Sequence, residues 1–366
     1  MVITIEKKEL LNAVTNASRF SEKKSATLPA LGGIAIVAGD EGIKLRATNL
    51  ETGIDIRVTG TITTPGVVVV PANTLRELCA SFGTTGSITL EHAGDIVVIS
   101  SETGKSTLKT LPYEDFPILP LPESPKAVFK VLGTDLQKLI TFVVSCASTS
   151  TIRPELASVF LSSEGGVLKA VATDSFRLAE KKISISGNLP QMSMLIPAKN
   201  ITDILQVLPE TTIEISLNDH QCAFMWETGV LTTRLVSGSY PDYAQIIPKT
   251  FIAEATVLRK DIENVLKRVA VFSDTFQKIK CRFVVAEKKL AFTARNNDIG
   301  ESEDMVSGAI TGEDVELSFN HRYISAPLSL IQADTVTISA SGIGRAVVMR
   351  GTGDTSFLYL VMPMNQ

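Results

Sequence analysis

A helical pattern near the N-terminus of this 366-residue chain returns twice at an interval of 126 residues. Each copy has apolar residues at i, i+3, i+4 and i+7, the spacing of one helix face. The three sets are Leu10, Ala13, Val14 and Ala17; Leu136, Leu139, Ile140 and Val143; and Ile262, Val265, Leu266 and Val269. An acidic residue precedes each set, at Glu9, Asp135 and Asp261. A fixed period of this kind is the signature of tandem copies of one structural unit.

Two further landmarks repeat in the same order. Val70-Pro71-Ala72 returns as Ile196-Pro197-Ala198, with proline placed where a helix can begin. Ala47-Thr48-Asn49 returns as Ala172-Thr173-Asp174, and the third copies, Phe319-Asn320 and Ala294-Arg295-Asn296, are looser. Proline-rich connectors follow copies one and two, at residues 111–126 and 237–248. We therefore predict three modules, at residues 1–121, 126–247 and 250–366.

Each copy reads as strand, helix, strands, helix, strands. The predicted helices are residues 7–20, 72–82, 134–147, 198–208, 259–271 and 320–331. The predicted strands include residues 33–37, 53–58, 87–91, 95–100, 211–216 and 335–339. Narrow apolar stripes on the helices indicate sheets flanked by helices on one face, which is an α+β fold. Pro327 lies inside the last predicted helix and should kink or shorten it.

Composition excludes several classes of protein. The longest aliphatic run, Val67 to Val70, is too short to span a bilayer, and Lys7, Lys8 and Glu9 interrupt any signal-peptide core. We expect a cytoplasmic protein. The four cysteines lack CxxC spacing and read as reduced packing residues. With three histidines there is little material for a metal cluster or a Ser/His triad, so no cofactor and no metal are expected.

The net charge of −4 hides an uneven distribution. The six predicted helices hold eleven Lys/Arg against six Asp/Glu, so the rest of the chain is acidic. For any single helix, an ordinary solvent-exposed face would explain the basic residues. Basic helices in three successive modules also suit an array that passes over a polyanion, because Lys/Arg contacts to phosphate attract without reading sequence.

Four motifs together resemble the bacterial DNA polymerase sliding clamp, the beta subunit of the replicative polymerase. They are Leu111-Pro112-x-x-Asp115-Phe116-Pro117; Ala172-Thr173-Asp174-x-x-Arg177-Leu178-Ala179; Tyr240-Pro241-Asp242-Tyr243 with Ile247-Pro248-Lys249; and Val361-Met362-Pro363-Met364. Their order and spacing match over the whole chain.

The resemblance implies a head-to-tail homodimeric ring with helices inside and sheets outside, which encircles double-stranded DNA without sequence specificity. It implies a protein without catalysis of its own that confers processivity on the polymerase catalytic subunit. The implied partners also include the clamp loader and, through short linear motifs, other polymerases and repair proteins, with no membrane.

The resemblance also implies three sets of site residues. The peptide-binding groove carries over to Leu156, Thr173, Arg177, Leu178, Pro241, Ile246, Val361, Met362, Pro363 and Met364. We assign DNA contact to Arg19, Lys23, Lys24, Arg76, Lys138, Lys199, Lys267 and Arg322. The dimer contact carries over to Lys105, Leu108, Val271, Phe272, Glu301 and Glu303, and we expect Lys105 or Lys109 to meet Glu301, Glu303 or Asp304.

The chain departs from the family pattern at a few positions. Ser175-Phe176 replace a common Gly-His pair, and Gln245 stands where a basic residue is frequent, so the preferred partner motif should differ. Asn73 occupies a position where a basic residue is expected, and Ser25 replaces an expected arginine beside Lys23 and Lys24.

Two other functions fit part of the pattern. An enzyme would need a nucleophile with a base or a phosphate-binding loop, and neither GxxxxGK nor GxSxG occurs in the sequence. Asp174 with Arg177 is the strongest catalytic pair, although such a pair at a strand end is more often structural. The second alternative is a scaffold that binds peptides but never encloses DNA.

Overall fold

The computed structural model describes residues 1–22, 28–82, 85–119 and 121–364. Its contacts divide the chain into two compact units, one of Met1–Gln137 with Lys199–Ser237 and the other of Lys138–Ala198 with Gly238–Gln366. The division passes through the two helices of the middle repeat. The three module boundaries taken from the repeats stay a prediction.

The described residues form 25 strands. In chain order these are β1 Val2–Glu6, β2 Gly33–Gly39, β3 Gly42–Thr48, β4 Thr52–Val58, β5 Gly60–Thr64, β6 Gly66–Pro71, β7 Ser87–Ala93, β8 Ile96–Ser100, β9 Lys105–Lys109, β10 Ala127–Leu132, β11 Ser158–Glu164, β12 Val167–Thr173, β13 Arg177–Ser184, β14 Met192–Pro197, β15 Thr212–Leu217, β16 Gln221–Trp226, β17 Gly229–Arg234, β18 Ala253–Leu258, β19 Lys278–Val284, β20 Lys289–Asn296, β21 Gly300–Gly312, β22 Val315–Asn320, β23 Thr335–Ala340, β24 Val347–Gly351 and β25 Phe357–Val361.

The first unit contains two antiparallel sheets, in the strand orders β5-β1-β7-β8-β9 and β10-β15-β16-β17-β4-β3-β2-β6. The second unit contains one sheet, in the order β14-β11-β12-β13-β25-β24-β23-β18-β21-β20-β19-β22. In the first unit β4 pairs with β17, and in the second unit β13 pairs with β25 in the same sense. These two strand pairings are therefore equivalent positions of the repeat.

Six α-helices accompany the sheets. They are α1 Lys7–Ser18, α2 Ala72–Ser81, α3 Gly133–Thr141, α4 Ala198–Leu205, α5 Arg259–Ala270 and α6 His321–Ser325. The apolar stripes that define the repeat are buried in all three copies. Burial of such aliphatic side chains, at roughly 1.5–3 kcal/mol each, is what holds a helix of this length on a sheet.

All six helices end before the predicted residue, and the difference is largest for α3 and α6. Helix α3 ends at Thr141 and a 3₁₀ turn follows at Val144–Cys146, because Thr141, Val143 and Val144 are β-branched and disfavour helix. Helix α6 ends at Ser325, and a 3₁₀ turn at Ala326–Ser329 takes Pro327 in its first positions. The predicted shortening at Pro327 is confirmed, whereas the prediction that helix continues to residue 147 is wrong.

The four cysteines are free and buried. Burial raises the pKa of Cys79 to about 12 and that of Cys146 to about 11, so both thiols stay protonated at neutral pH. The packing role predicted for the cysteines is confirmed by this burial. No group of His, Cys, Asp or Glu suited to a metal ion occurs among the described residues.

Candidate functional site

The turn between β12 and β13 is held by its own side chains. The Thr173 hydroxyl donates to the Arg177 carbonyl (2.7 Å), while the amides of Phe176 and Arg177 donate to Asp174 Oδ1 (2.9 Å each). Ser175 adopts a φ of 77°, a left-handed conformation that costs a non-glycine residue energy. This explains why glycine suits the position, and the turn presents Phe176 with 61 % of its surface exposed.

Arg177 ties this turn to the 3₁₀ turn at Val144–Cys146, which follows α3. Its Nε donates to Asp174 Oδ2 (2.9 Å), its Nη2 donates to the Ser145 carbonyl (2.6 Å), and its guanidinium lies 4.6 Å from the ring centre of Tyr323. Burial is the largest single influence and opposes the charged form, but the hydrogen bond to Asp174 and the electrostatic attraction of Cys146, Tyr359 and Asp174 together outweigh it, so the pKa of Arg177 is raised. Because both Asp174 oxygens are occupied, the geometry favours a structural ion pair over a catalytic one.

The sheet face beside this turn is apolar. Its buried cluster comprises Val171, Leu178, Ala346, Val348, Leu358 and Leu360. The cluster is contacted by five partly buried side chains: Phe160, Tyr240, Tyr243, Ile247 and Met362. We call the surface over Leu178 and Leu360, bounded by residues 240–247 and by Met362 to Met364, the groove.

The segment of residues 240–247 is fixed by aromatic and polar contacts. Tyr240 stacks on Phe160 with ring centres 4.9 Å apart, and the Tyr243 hydroxyl donates to Glu180 Oε2 (2.6 Å). Burial and this contact raise the pKa of Tyr243. These contacts hold the segment against the sheet, while Ile246 keeps 50 % of its surface exposed.

The C-terminal segment, Met362 to Met364, forms a second wall of the groove. The amide of Met362 donates to the Phe176 carbonyl and that of Met364 to the Ser318 carbonyl, both at 2.7 Å. Met362, Pro363 and Met364 are half-buried. Apolar side chains held in this way, with exposed Pro241 and Ile246 opposite, form a trough suited to a short apolar peptide.

The predicted groove residues do not all face the trough. Leu178 pairs with Leu360 across β13 and β25, and Arg177 pairs with Val361. Since directly paired residues share a face and neighbours alternate, Val361 lies on the opposite face, where it is fully buried. Leu360 occupies the place that the sequence assigned to Val361. Leu156 and Thr173 are also buried, and Thr173 pairs directly with Leu178, so Thr173 lies on the sheet face of the trough.

An equivalent turn occurs in the first unit, with a different sheet face beside it. The Thr48 hydroxyl donates to the Thr52 carbonyl, and Leu50 has a φ of 70°. Gly53 and Thr232 stand where Leu178 and Leu360 stand in the second unit. A Cβ added to Gly53 would lie 2.2 Å from Leu119 Cδ2, so the connector already fills that space. The repeat thus supplies the turn twice, and side chains decide which copy offers a trough.

Basic side chains assigned to DNA contact lie on, or directly after, each of the six helices. Arg19, Lys138, Lys199, Lys267 and Arg322 are exposed and Arg76 is half-buried. Among the described residues none of these six forms an ion pair, whereas Arg259 pairs with Glu263 and Arg268 with Asp304. Lys23 and Lys24 lie outside the described residues. Lys7, which the sequence counts with the basic helix residues, is instead buried and donates to the Phe82 carbonyl.

Two sheet edges carry the residues assigned to the dimer contact. Strand β9, with Lys105, is the last strand of its sheet. Residues 300–307 of β21 pair with β20, and residues 308–312 pair with β18, which leaves one side of the 300–307 segment without a partner strand in the described chain. Free edges of this kind are templates for pairing with another chain.

Apolar side chains beside β21 extend this surface beyond the sequence assignment. Val271 is 65 % exposed, and Phe276 and Ile299, which the sequence did not select, are 72 % and 58 % exposed. They lie on adjoining loops, because Asn296 Nδ2 donates to the Ser273 carbonyl (3.2 Å). Leu108 is nearly buried within its own sheet. The exposure of Val271, Phe276 and Ile299 follows from how the loops pack, which the sequence pattern does not reveal.

Comparison with known proteins decides the family. Models of the N-terminal, central and C-terminal domains of the DNA polymerase III beta subunit match residues 1–120, 130–242 and 244–365. The chain belongs to the DNA polymerase III beta subunit family. Full-length relatives include the beta sliding clamps of Salmonella typhimurium, 27 % identical, and Vibrio cholerae, 26 % identical, each covering 100 % of both chains.

Solved structures agree with this assignment. The beta subunit from Thermotoga maritima is 26 % identical with a TM-score of 0.93, covering 100 % of this chain and 99 % of that one. The sliding clamp of Pseudomonas aeruginosa with ligand is 25 % identical with a TM-score of 0.93, covering 100 % of both chains. These findings confirm the predicted resemblance, the α+β clamp fold, the sliding-clamp function in polymerase processivity and the non-catalytic role.

Family membership also supports DNA and the polymerase as partners. The cytoplasmic location stays a prediction; among the described residues no helix is long and apolar enough to cross a membrane. The individual groove, DNA and dimer residues likewise stay predictions, and they form the basis of the proposal that follows.

Proposed function

We propose that two copies of this chain pair head to tail as a ring around duplex DNA and hold the replicative polymerase there through the groove. The observation that carries this proposal is the set of six basic side chains, one for each helix, without ion pairs among the described residues. Cations with no protein partner are available to phosphate, and contacts of this kind do not fix the ring at one sequence.

A topological experiment tests encirclement. The clamp, loaded by the clamp loader on a nicked circular plasmid, should remain bound through gel filtration at moderate salt. Linearising the plasmid should release it, because a ring can slide off a free end. Equal loss from both substrates would instead support a scaffold that binds peptides without enclosing DNA.

The salt dependence of DNA contact tests the assigned cations. The double variant Lys267→Ala, Arg322→Ala changes both chains of the dimer. It should reduce the magnitude of the slope of log K against log salt by about two to four, because each lost phosphate contact removes roughly 0.9 from that slope. Fluorescence anisotropy with short duplex DNA measures this slope. Lys280→Ala is the control, since Lys280 is paired with Glu316 at 3.0 Å; an equal change there would refute the assignment.

The charge pairing across the dimer tests the sheet-edge contact. Asp304 already binds Arg268 at 3.0 and 3.2 Å, and Glu303 lies 3.8 Å from Arg282, so Glu301 is the favoured partner of Lys105. Lys105→Glu should weaken the dimer about two- to five-fold, as expected for an exposed pair. Adding Glu301→Lys should restore the affinity of the dimer, as measured by analytical ultracentrifugation. A dimer unchanged by the single substitution would show the pairing to be wrong.

The groove also accounts for the other proposed partners. The clamp loader, other polymerases and repair proteins would each insert a short linear motif into the same trough, so they should compete with the replicative polymerase. Half-buried Met362 and Met364 give a surface that adapts to several related peptides.

A further inference from the structure

The connector that follows the first repeat crosses one face of the eight-stranded sheet. The amide of Leu111 donates to a carbonyl of β6, and the amide of Lys126 donates to the carbonyl that ends β15, both at 2.8 Å. Between these ends, Leu119 packs beside Gly53 of β4. Since β4 lies between β6 and β15 in the strand order, the connector is attached at both ends and in its middle. We call residues 112–119 the connector segment.

The connector segment presents apolar surface to solvent. Ile118 is 89 % exposed, more than any other large apolar side chain in the described part of the chain. Leu50, in the turn that leads into Gly53, is 46 % exposed. Ile118 and Leu50 thus stand next to the two partners of the contact between Leu119 and Gly53. Five prolines in residues 112–125 restrict the backbone, so a protein that binds here orders little additional chain.

The connector segment also belongs to an acidic stretch. Residues 111–125 contain Glu114, Asp115 and Glu123 and no Lys, Arg or His. None of these three carboxylates forms an ion pair within the described chain. Basic residues around the connector, by contrast, have acidic neighbours. Ion pairs join Arg46 to Asp55, Lys130 to Glu214 and Lys126 to Asp219, and backbone hydrogen bonds bring Arg234 beside Glu51, Arg57 beside the turn that contains Glu227, and the residue after Lys109 beside Asp95. The connector therefore adds a surplus of negative charge to this surface.

We propose that the connector segment docks a basic surface of the DNA-bound polymerase that the groove holds. Ile118 would enter an apolar pocket of the polymerase, and Glu114 and Asp115 would face its lysine or arginine side chains. A protein that grips duplex DNA has such a Lys/Arg-rich surface beside the phosphates, and an acidic segment attracts it. This inference rests on the proposed function of the groove and adds a second contact, which raises affinity because its rebinding is intramolecular.

The test measures binding of the polymerase catalytic subunit of the same organism to the full-length dimer by surface plasmon resonance. Glu114→Lys with Asp115→Lys should slow association and weaken binding about ten-fold at low salt, with a smaller loss at high salt. Ile118→Asp should weaken binding about ten-fold, mainly through faster dissociation. A groove-binding peptide of the same polymerase should bind both variants as it binds the wild type.

A matched control keeps the change in net charge and moves its position. Glu210→Lys with Glu227→Lys alters two exposed carboxylates of the same unit outside the connector and should change polymerase affinity little. Equal losses in this control and in Glu114→Lys with Asp115→Lys would contradict a local site. Polymerase binding that tolerates both connector variants would overturn the proposal and leave the groove intact.

Failure of every polymerase peptide to bind the wild-type dimer would instead refute the groove function. The connector then has its own test, in which p-benzoylphenylalanine replaces Ile118 and is photo-cross-linked to the polymerase on primed DNA. Mass spectrometry should map the cross-links to a segment rich in Lys and Arg. Cross-links to an acidic segment, or none, would contradict docking at the connector.

Discussion

Deleting Met362 to Gln366 is expected to abolish binding of polymerase peptides, with a loss of about 100-fold or more, while the dimer stays intact. The deletion removes Met362 from the cluster over Leu178 and Leu360 and cuts the two backbone hydrogen bonds that hold the C-terminal wall. Peptide segments lose affinity mainly through lost apolar anchors, at about 1.4 kcal/mol for each factor of ten. Fluorescence anisotropy and analytical ultracentrifugation measure the two properties separately.

A matched control for this deletion lies inside the same wall. Met364→Leu keeps an apolar side chain of similar volume and the backbone hydrogen bond to Ser318, so peptide affinity should change little. Undiminished peptide binding after the deletion would refute the groove assignment. Loss of the dimer together with binding would show that the C-terminal wall also supports the sheet edge at β21.

The second large effect is expected at the dimer surface. Val271→Asp should weaken the dimer by about 100-fold or more, because it places an unpaired carboxylate in an apolar contact. Val271 is 65 % exposed in the single chain, so the substitution should leave the melting temperature of an isolated protomer nearly unchanged. The variant should also fail to remain on nicked circular DNA, since an open ring cannot stay topologically linked.

Ile152→Asp is the control for this prediction. Ile152 is 88 % exposed and Val271 65 %, and Ile152 lies in the loop before β11, a strand that is not assigned to the dimer contact. It should leave the dimer unchanged. A dimer that tolerates Val271→Asp would place the protomer contact elsewhere.

The repeat made much of the fold predictable. Three copies of one apolar stripe predicted α1, α3 and α5 and their buried faces, and Pro327 marked where α6 ends. These are local signals, since spacing along a helix and the missing amide of proline act within a few residues. The strands with β-branched residues at residues 33–37 and 335–339 were found for the same reason.

What the sequence missed depends on distant contacts. The 3₁₀ turn that follows α3 is held by Arg177, more than thirty residues away, which donates to the Ser145 carbonyl. Leu360 rather than Val361 faces the trough because of the register between β13 and β25. Lys7 is buried because the Phe82 carbonyl lies within reach. None of these pairings leaves a periodic trace in the chain.

The equivalent turns at Thr48 and Thr173 bear on how such a protein acquires a docking site. Backbone shape at both places is set by a threonine, an Asn or Asp and one left-handed residue, and it is present whether or not anything binds there. Leucines stand in the second unit at the positions that Gly53 and Thr232 hold in the first, so a few side chains separate the copy with the proposed groove from the copy without it. The same turn can therefore be kept beside a surface that binds nothing, because selectivity resides in side chains and not in the backbone.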